Sequence, residues 1–260
     1  MKFSLKNKWV LITGASSGFG AAGAEAFGAE GAKLLLGARR LDRLKQVTAK
    51  AKKAGAAEAH FHELDVSTTA SVTDFFNWAK TKLKSKPLHV LINNAGGAHG
   101  TDTIAEAKDA DWEAMIQTNV IGVLRMTRAA LPLIPRDAGA SILNIGSLAA
   151  RAAYAGGAAY CAAKAGELMI TRSLRQELFG TGIRVSSVDP GLAETEFALV
   201  RYKGDAKKAK ELYAGANPLV AVDIAEILVW VASRPPHVNI DEMLIKPVDQ
   251  ADMGKVFRRS

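Results

Sequence analysis

Trp9-Val10-Leu11-Ile12-Thr13-Gly14-Ala15-Ser16-Ser17-Gly18-Phe19-Gly20 is an apolar run of strand length that breaks into a glycine-rich turn and leads into an alanine-rich helical stretch. Glycines let the backbone turn sharply and approach a bound group, while a helix that starts there presents unpaired N–H groups and the positive end of its dipole. Strand, glycine turn and helix in that order form a cradle for a pyrophosphate. Gly14, Ser16, Ser17, Gly18, Phe19 and Gly20 are therefore candidate ligands of a dinucleotide. The spacing Gly-x-x-x-Gly-x-Gly departs from the general fingerprint of such folds, so its weight comes from its place after the first strand.

Outward from this stretch, short apolar runs alternate with longer amphipathic ones. That is the pattern of repeated βαβ units around a parallel sheet covered on both faces. Strands are predicted over residues 9–13, 33–37, 58–64, 88–93, 140–145, 184–188 and 242–245. One long helix is predicted over 111–133, ending at the Pro132/Pro135 pair, and another over 158–179, stopped by Gly180. The expected fold is a single α/β domain over residues 1–260: a Rossmann-type, doubly wound, seven-stranded parallel sheet in the order 3-2-1-4-5-6-7, with helices on both faces. Residues 192–218 break the strand–helix rhythm and are read as an insertion covering the substrate.

Composition narrows the function classes. Of 260 residues, 48% are hydrophobic and 23% charged, enough apolar surface for one sizeable core. The net charge of +8 suits nucleic acid, an anionic membrane surface or a phosphorylated small ligand. Many lysines fall on the exteriors of predicted helices, and Trp9, Trp78, Trp112 and Trp230 are dispersed rather than interleaved with basic clusters, so no nucleic-acid partner is expected. No apolar run reaches the roughly 18 residues of a membrane span, and the first residues lead into a strand without a cleavage site; no membrane partner and a cytoplasmic location are expected. Cys161 stands alone, and His60 and His62 alternate on a predicted strand with no third ligand nearby, which reads as solvent-facing positions and no metal.

Roughly 20 residues beyond the glycine turn, where an acidic residue usually holds the ribose hydroxyl of NAD, the chain has Ala38-Arg39-Arg40. A carboxylate repels a 2′-phosphate, whereas guanidinium groups pair with it, so Arg39 and Arg40 point to NADP(H). Asp65, followed by Val66 after the third strand, is placed to meet the adenine edge or to cap a helix.

Ser147, Tyr160 and Lys164 form the candidate catalytic set. Tyr160 and Lys164 lie four residues apart on one helical face, where an ammonium favours the phenolate and draws the tyrosine down from about 10 towards the working range. Tyr160 can then serve as acid or base while Ser147, at the end of the fifth strand, hydrogen-bonds the substrate oxygen.

Together these residues resemble the short-chain dehydrogenase/reductase family over essentially the whole chain. Four motifs agree in order: the Gly14/Gly18/Gly20 turn, Asn93-Asn94-Ala95-Gly96, Ser147 with Tyr160-Cys161-Ala162-Ala163-Lys164, and Asp189-Pro190-Gly191. The resemblance implies that Asn119 is a fourth catalytic residue, distorting its helix and holding a water that links the lysine to solvent. It implies that Lys164 binds the nicotinamide ribose, that Asn93, Ala95 and Gly96 line the adenosine ribose, and that Pro190, Gly191, Leu192 and Thr195 meet the nicotinamide and diphosphate. It implies a homotetramer built through the helices that start at Asp111 and Ala158. One departure stands out: some NADP-preferring relatives carry a basic residue where this chain has Ser17, which leaves the phosphate to Arg39 and Arg40.

Tyr154-Ala155-Gly156-Gly157, residues 189–197 and Val200-Arg201-Tyr202-Lys203-Gly204-Asp205 are similar to the NADP-dependent 3-hydroxy acid dehydrogenases. That similarity implies a carboxylated substrate such as serine, allo-threonine or 3-hydroxypropionate, met by Ser147, Tyr160, Tyr154 and a cation, with Arg201 ahead of Lys203. A 3-oxoacyl thioester reductase, a broad aldehyde/ketone reductase and a non-catalytic NADPH sensor are the alternatives.

Overall fold

The computed structural model describes residues 2–136 and 139–259. Seven parallel strands form the central sheet: β1 (Trp9–Thr13), β2 (Lys33–Ala38), β3 (Glu58–Glu63), β4 (Leu88–Asn93), β5 (Ser141–Ile145), β6 (Arg184–Pro190) and β7 (Glu242–Ile245). Their spatial order is β3-β2-β1-β4-β5-β6-β7, as the sequence pattern predicts. The helices are α1 (Gly18–Ala29), α2 (Leu41–Ala54), α3 (Thr69–Leu83), α4 (Asp109–Ile116), α5 (Gly122–Ala130), α6 (Ala158–Glu177), the short α7 (Phe197–Arg201) and α8 (Ala206–Glu211), and α9 (Ala221–Ala232).

The central strands are apolar on both faces because both faces are covered. In β1, Val10 and Ile12 pack with Phe27 of α1, Leu44 of α2 and Leu228 of α9. The alternate residues Trp9 and Leu11 pack on the other side with Phe75 of α3, Met126 of α5 and Leu174 of α6. This period of two, read on a strand with no exposed residue, is the signature of a sandwiched parallel sheet.

From β1 the chain steps outward to β2 and β3, then returns to place β4 on the opposite side of β1. Connections leaving β1 and β4 therefore diverge and open a crevice at their carboxyl ends. Thr13 pins its floor: the Thr13 hydroxyl accepts from the backbone N–H groups of Asn94 (2.9 Å) and Ala95 (2.8 Å).

Three expectations change. Residues 111–133 do not form one regular helix: α4 gives way to a π turn at Gln117–Ile121, then to α5, and closes in a 3-10 turn at Leu131–Leu133. Residues 192–218 carry regular structure where a break in the strand–helix rhythm is expected: they hold α7 and α8, and Ala193–Glu194 pairs in parallel with Leu219–Val220. His60 and His62 are half-buried rather than solvent-facing, the first stacked on Trp9 (6.1 Å between ring centroids) and the second against Trp78 (5.0 Å).

Candidate functional site

A cleft of about 690 Å³ runs along the carboxyl ends of the strands, from the glycine turn to the covering segment. At its first end, Gly14 adopts φ +65°, a left-handed conformation that favours glycine, and α1 begins behind it at Gly18. Gly20 does not line the cleft. A Cβ there would sit 2.5 Å from the Asn94 amide nitrogen and 2.6 Å from the Gly14 carbonyl oxygen, so its role is to let the turn close tightly on the β4 loop. Ser17 occupies the N-cap of α1 without making a side-chain cap, which leaves the helix's first N–H groups for a ligand.

Arg39 and Arg40 flank this end. The Arg40 guanidinium donates to Ser16 Oγ (3.1 Å) and Ser17 Oγ (2.7 Å), so the positive charge missing at position 17 arrives over the same spot from the end of β2. Arg39 has no ion-pair partner among the described residues. Asp65 and Val66 line the adjoining wall. Asp65 Oδ1 accepts from the Ser67 N–H (2.9 Å) and hydroxyl (2.6 Å), whereas the N-cap of α3 is Thr68, so Asp65 shapes the preceding turn instead of capping the helix.

Asn93 corrects the sequence reading. Its amide donates to Thr127 Oγ1 (3.1 Å) and Asn144 Oδ1 (2.8 Å), which binds β4 to α5 and β5 and turns the side chain away from the cleft. Asn94 lines the cleft in its place and donates to the Thr13 carbonyl (2.8 Å); side-chain alternation on the strand was the available signal. Ala95 and Gly96 also line the cleft, as do Pro190, Gly191, Leu192 and Thr195.

Ser147, Tyr160 and Lys164 all line the cleft. Ser147 leaves β5 and accepts from the Ala149 N–H (3.1 Å) through Oγ, which fixes its hydroxyl at the cleft wall. Tyr160 packs against Phe197 of α7, with ring centroids 5.5 Å apart. Lys164, one turn along α6, is 6% exposed and donates to the Ile145 carbonyl and to Glu167 Oε2, both at 2.7 Å. Burial works against its charge, but the Glu167 carboxylate outweighs that and raises its pKa.

Asn119 sits in the π turn, and its side chain is occupied. Nδ2 donates to the carbonyls of Gly97 (2.9 Å) and Met115 (2.8 Å), while Oδ1 accepts from the Gly97 N–H (3.1 Å). It thus clamps the irregular helix to the loop after β4 and does not itself line the cleft.

At the far end the covering segment supplies Arg201, 9% exposed, whose guanidinium lies 5.1 Å from the Tyr154 ring centroid and 5.8 Å from that of Tyr160. Its Nε donates to the Gly100 carbonyl (3.2 Å) and its own carbonyl accepts from the Gly100 N–H (2.8 Å). No carboxylate pairs with it among the described residues. Among the described residues Tyr154 Oη is buried without a hydrogen-bond partner, and burial pushes its pKa up to about 12. Lys203 faces outward to Asp111 at 2.7 Å and takes no part in the cleft. Sequence reading missed Gln250, whose Oε1 accepts from the Leu192 N–H (2.7 Å) across 58 positions; no local pattern announces such a contact.

Sequence reading also missed Glu196, which bridges the cleft mouth from the covering segment to Arg40 (2.9 Å) and Arg43. Burial opposes its charge, but the two guanidinium groups outweigh it and hold its carboxyl below the usual range.

The sequence profile of the family described as short chain dehydrogenase matches residues 8–205. An NADP-dependent 3-hydroxy acid dehydrogenase of Schizosaccharomyces pombe is 38% identical over 256 residues, spanning 98% of each chain. Sulfoacetaldehyde reductase 2 of Chromohalobacter salexigens is 42% identical over 246 residues, 93% of this chain and 95% of that one. Among solved structures, the closed form of serine dehydrogenase complexed with NADP+ superposes with a TM-score of 0.85 at 36% identity, covering 97% of this chain and 100% of that one.

Glu196→Ala should loosen the covering segment without affecting the core. Trypsin cleavage around Lys207, Lys208 and Lys210 is expected to quicken roughly two- to fivefold at an unchanged Tm, the scale of a part-exposed ion pair; cleavage at the wild-type rate would show that the bridge restrains nothing.

Proposed function

We propose, since the chain belongs to the short-chain dehydrogenase family, that it is an NADP(H)-dependent oxidoreductase acting on a small 3-hydroxy acid, or on the matching semialdehyde in reverse. Arg201 carries the substrate half of this reading: a nearly buried guanidinium without a carboxylate partner, packed against the rings of Tyr154 and Tyr160. A buried charge left unpaired is costly, and an anionic substrate supplies the missing counter-ion. Serine, allo-threonine and 3-hydroxypropionate each carry a carboxylate separated from the reacting carbon by a single carbon. A neutral ketone or thioester leaves the guanidinium uncompensated, which weighs against those alternatives.

The first end of the cleft fits the dinucleotide. Uncapped N–H groups of α1 suit the diphosphate, and the unpaired Arg39 with Arg40 suits the 2′-phosphate. When bound, the cofactor supplies or accepts the hydride. Ser147 holds the substrate oxygen, and Tyr160 takes the hydroxyl proton during oxidation or returns it during reduction. Lys164, fixed by Ile145 and Glu167, presents its remaining N–H to the ribose hydroxyls and a positive field to the phenol. Asn119 keeps the Gly97 loop in place and so acts through position. Residues 192–213 cover substrate and exclude water, with Phe197 over Tyr160.

Assembly as a homotetramer fits the exposed apolar side chains Leu124 on α5 and Met169 on α6, since these helices present them to solvent in the single chain. A cytoplasmic location fits a chain whose single cysteine requires no oxidation.

Two substitutions test the halves separately. Arg201→Ala should lower kcat/KM for 3-hydroxy acids by roughly 10- to 100-fold, the worth of one charge-assisted hydrogen bond, and leave neutral alcohols unaffected; equal losses on both classes would remove the carboxylate clamp. Arg39→Asp should weaken NADPH binding by at least roughly tenfold and improve NADH relative to it, whereas an unchanged preference would refute the phosphate assignment.

A further inference from the structure

Beneath the cleft, Glu167 is 2% exposed, one turn of α6 beyond Lys164, with Oε2 accepting from the Lys164 ammonium at 2.7 Å. Its second oxygen, Oε1, is buried with no partner among the described residues. A carboxylate in the core of a helix–sheet interface is costly to bury, and packing gives no reason for it, since an apolar side chain fills such a place at lower cost. What it touches is the one cation of the candidate catalytic set.

The groups that face the pair are few. From α6 itself they are Lys164 and Tyr160. At the end of β6, Asp189 is fully buried and accepts from Ser187 Oγ and from the Arg151 guanidinium, both at 2.5 Å. Arg151 comes from the turn after Ser147 and is shared with Glu242, which Arg172 also holds. From the π turn comes the neutral Asn119, whose Oδ1 and the Lys164 Nζ both lie close to Gly96. Asp189 therefore has its own cation, and among the described residues Lys164 bonds no carboxylate except Glu167.

We infer that Glu167 is a positioning residue that, as a buried carboxylate, fixes the Lys164 ammonium under the cleft and sets the pH range over which the Ser147–Tyr160–Lys164 set works. The inference rests on the dehydrogenase reading and adds to it: the motif carries a built-in counter-ion. Burial raises the Glu167 carboxyl and the Lys164 charge pulls part of that back, leaving it at about 7, so the pair is balanced against desolvation and sensitive to its own charge. Loss of a negative charge makes proton release easier from the groups that face it. Both limbs of a bell-shaped profile then move the same way, towards acid.

Glu167→Gln keeps the shape and an acceptor for the ammonium and removes only the charge; Glu167→Asp keeps the charge at shorter reach. In the intact chain, the pH profile of kcat/KM should move to lower pH by roughly one unit in E167Q and return towards the wild-type position in E167D. NADPH affinity, followed by nucleotide fluorescence at neutral pH, should stay within about threefold of wild type, because the ammonium is still present. An E167Q profile that superimposes on wild type would mean that the carboxyl is already neutral and would overturn the inference, as would a shift towards alkali. Should E167Q fail to fold, the Lys164 Cε resonance in labelled wild-type protein, assigned with Lys164→Arg, replaces it: an ammonium that persists beyond the ordinary lysine range of about 10.4 supports the pairing, and earlier loss contradicts it. Loss of activity in Lys164→Ala is a separate result; if that variant stays fully active, the dehydrogenase reading itself fails, whatever Glu167 does.

Discussion

An ammonium group can be carried out of water only against partners that replace its hydration, and the position of Lys164 is such a bargain. It is held from β5 by the Ile145 carbonyl and from its own helix by Glu167, so strand and helix must be in register before the charge can be buried. The same register brings Tyr160 and Ser147 with it to the wall of one cleft. Arg201 is the counterpart, a second buried cation in the cleft but one with no carboxylate partner among the described residues. Paired charge organises the reacting centre, and unpaired charge makes the place for an anion.

The fold contributes by geometry more than by chemistry. Reversal of strand order between β1 and β4 opens the crevice, and Thr13 and Asn94 hold its floor closed beneath the glycine turn. The π turn around Asn119 breaks the regular helix, and its side-chain amide converts that break into a clamp on the Gly97 loop.

Much of this was legible in the sequence because it is local. The strands of the sheet are short apolar runs, and the pairing of Tyr160 with Lys164 follows from helical periodicity. Side-chain direction at the end of β4 was harder: Asn93 and Asn94 look interchangeable in sequence, and only the strand's alternation sends one into the core and the other to the cleft. Arg201 and Lys203 were separated by a left-handed residue at position 203, which turns the lysine out to Asp111. Glu196, Gln250 and the Arg151–Asp189 pair act across long sequence separations and leave no periodic trace. Glu167 lay within the recognised helix and still escaped notice, because burial of an acid has no pattern in sequence.

The most direct test of the account is the crystal structure of the chain with NADP+ and malonate, an unreactive carboxylate. The expected arrangement has the 2′-phosphate on Arg39 and Arg40, the nicotinamide beside Tyr160 and Lys164, and a malonate carboxylate on the Arg201 guanidinium. A dinucleotide bound with Tyr160 and Lys164 directed away from its nicotinamide, or malonate seated away from Arg201, would contradict it.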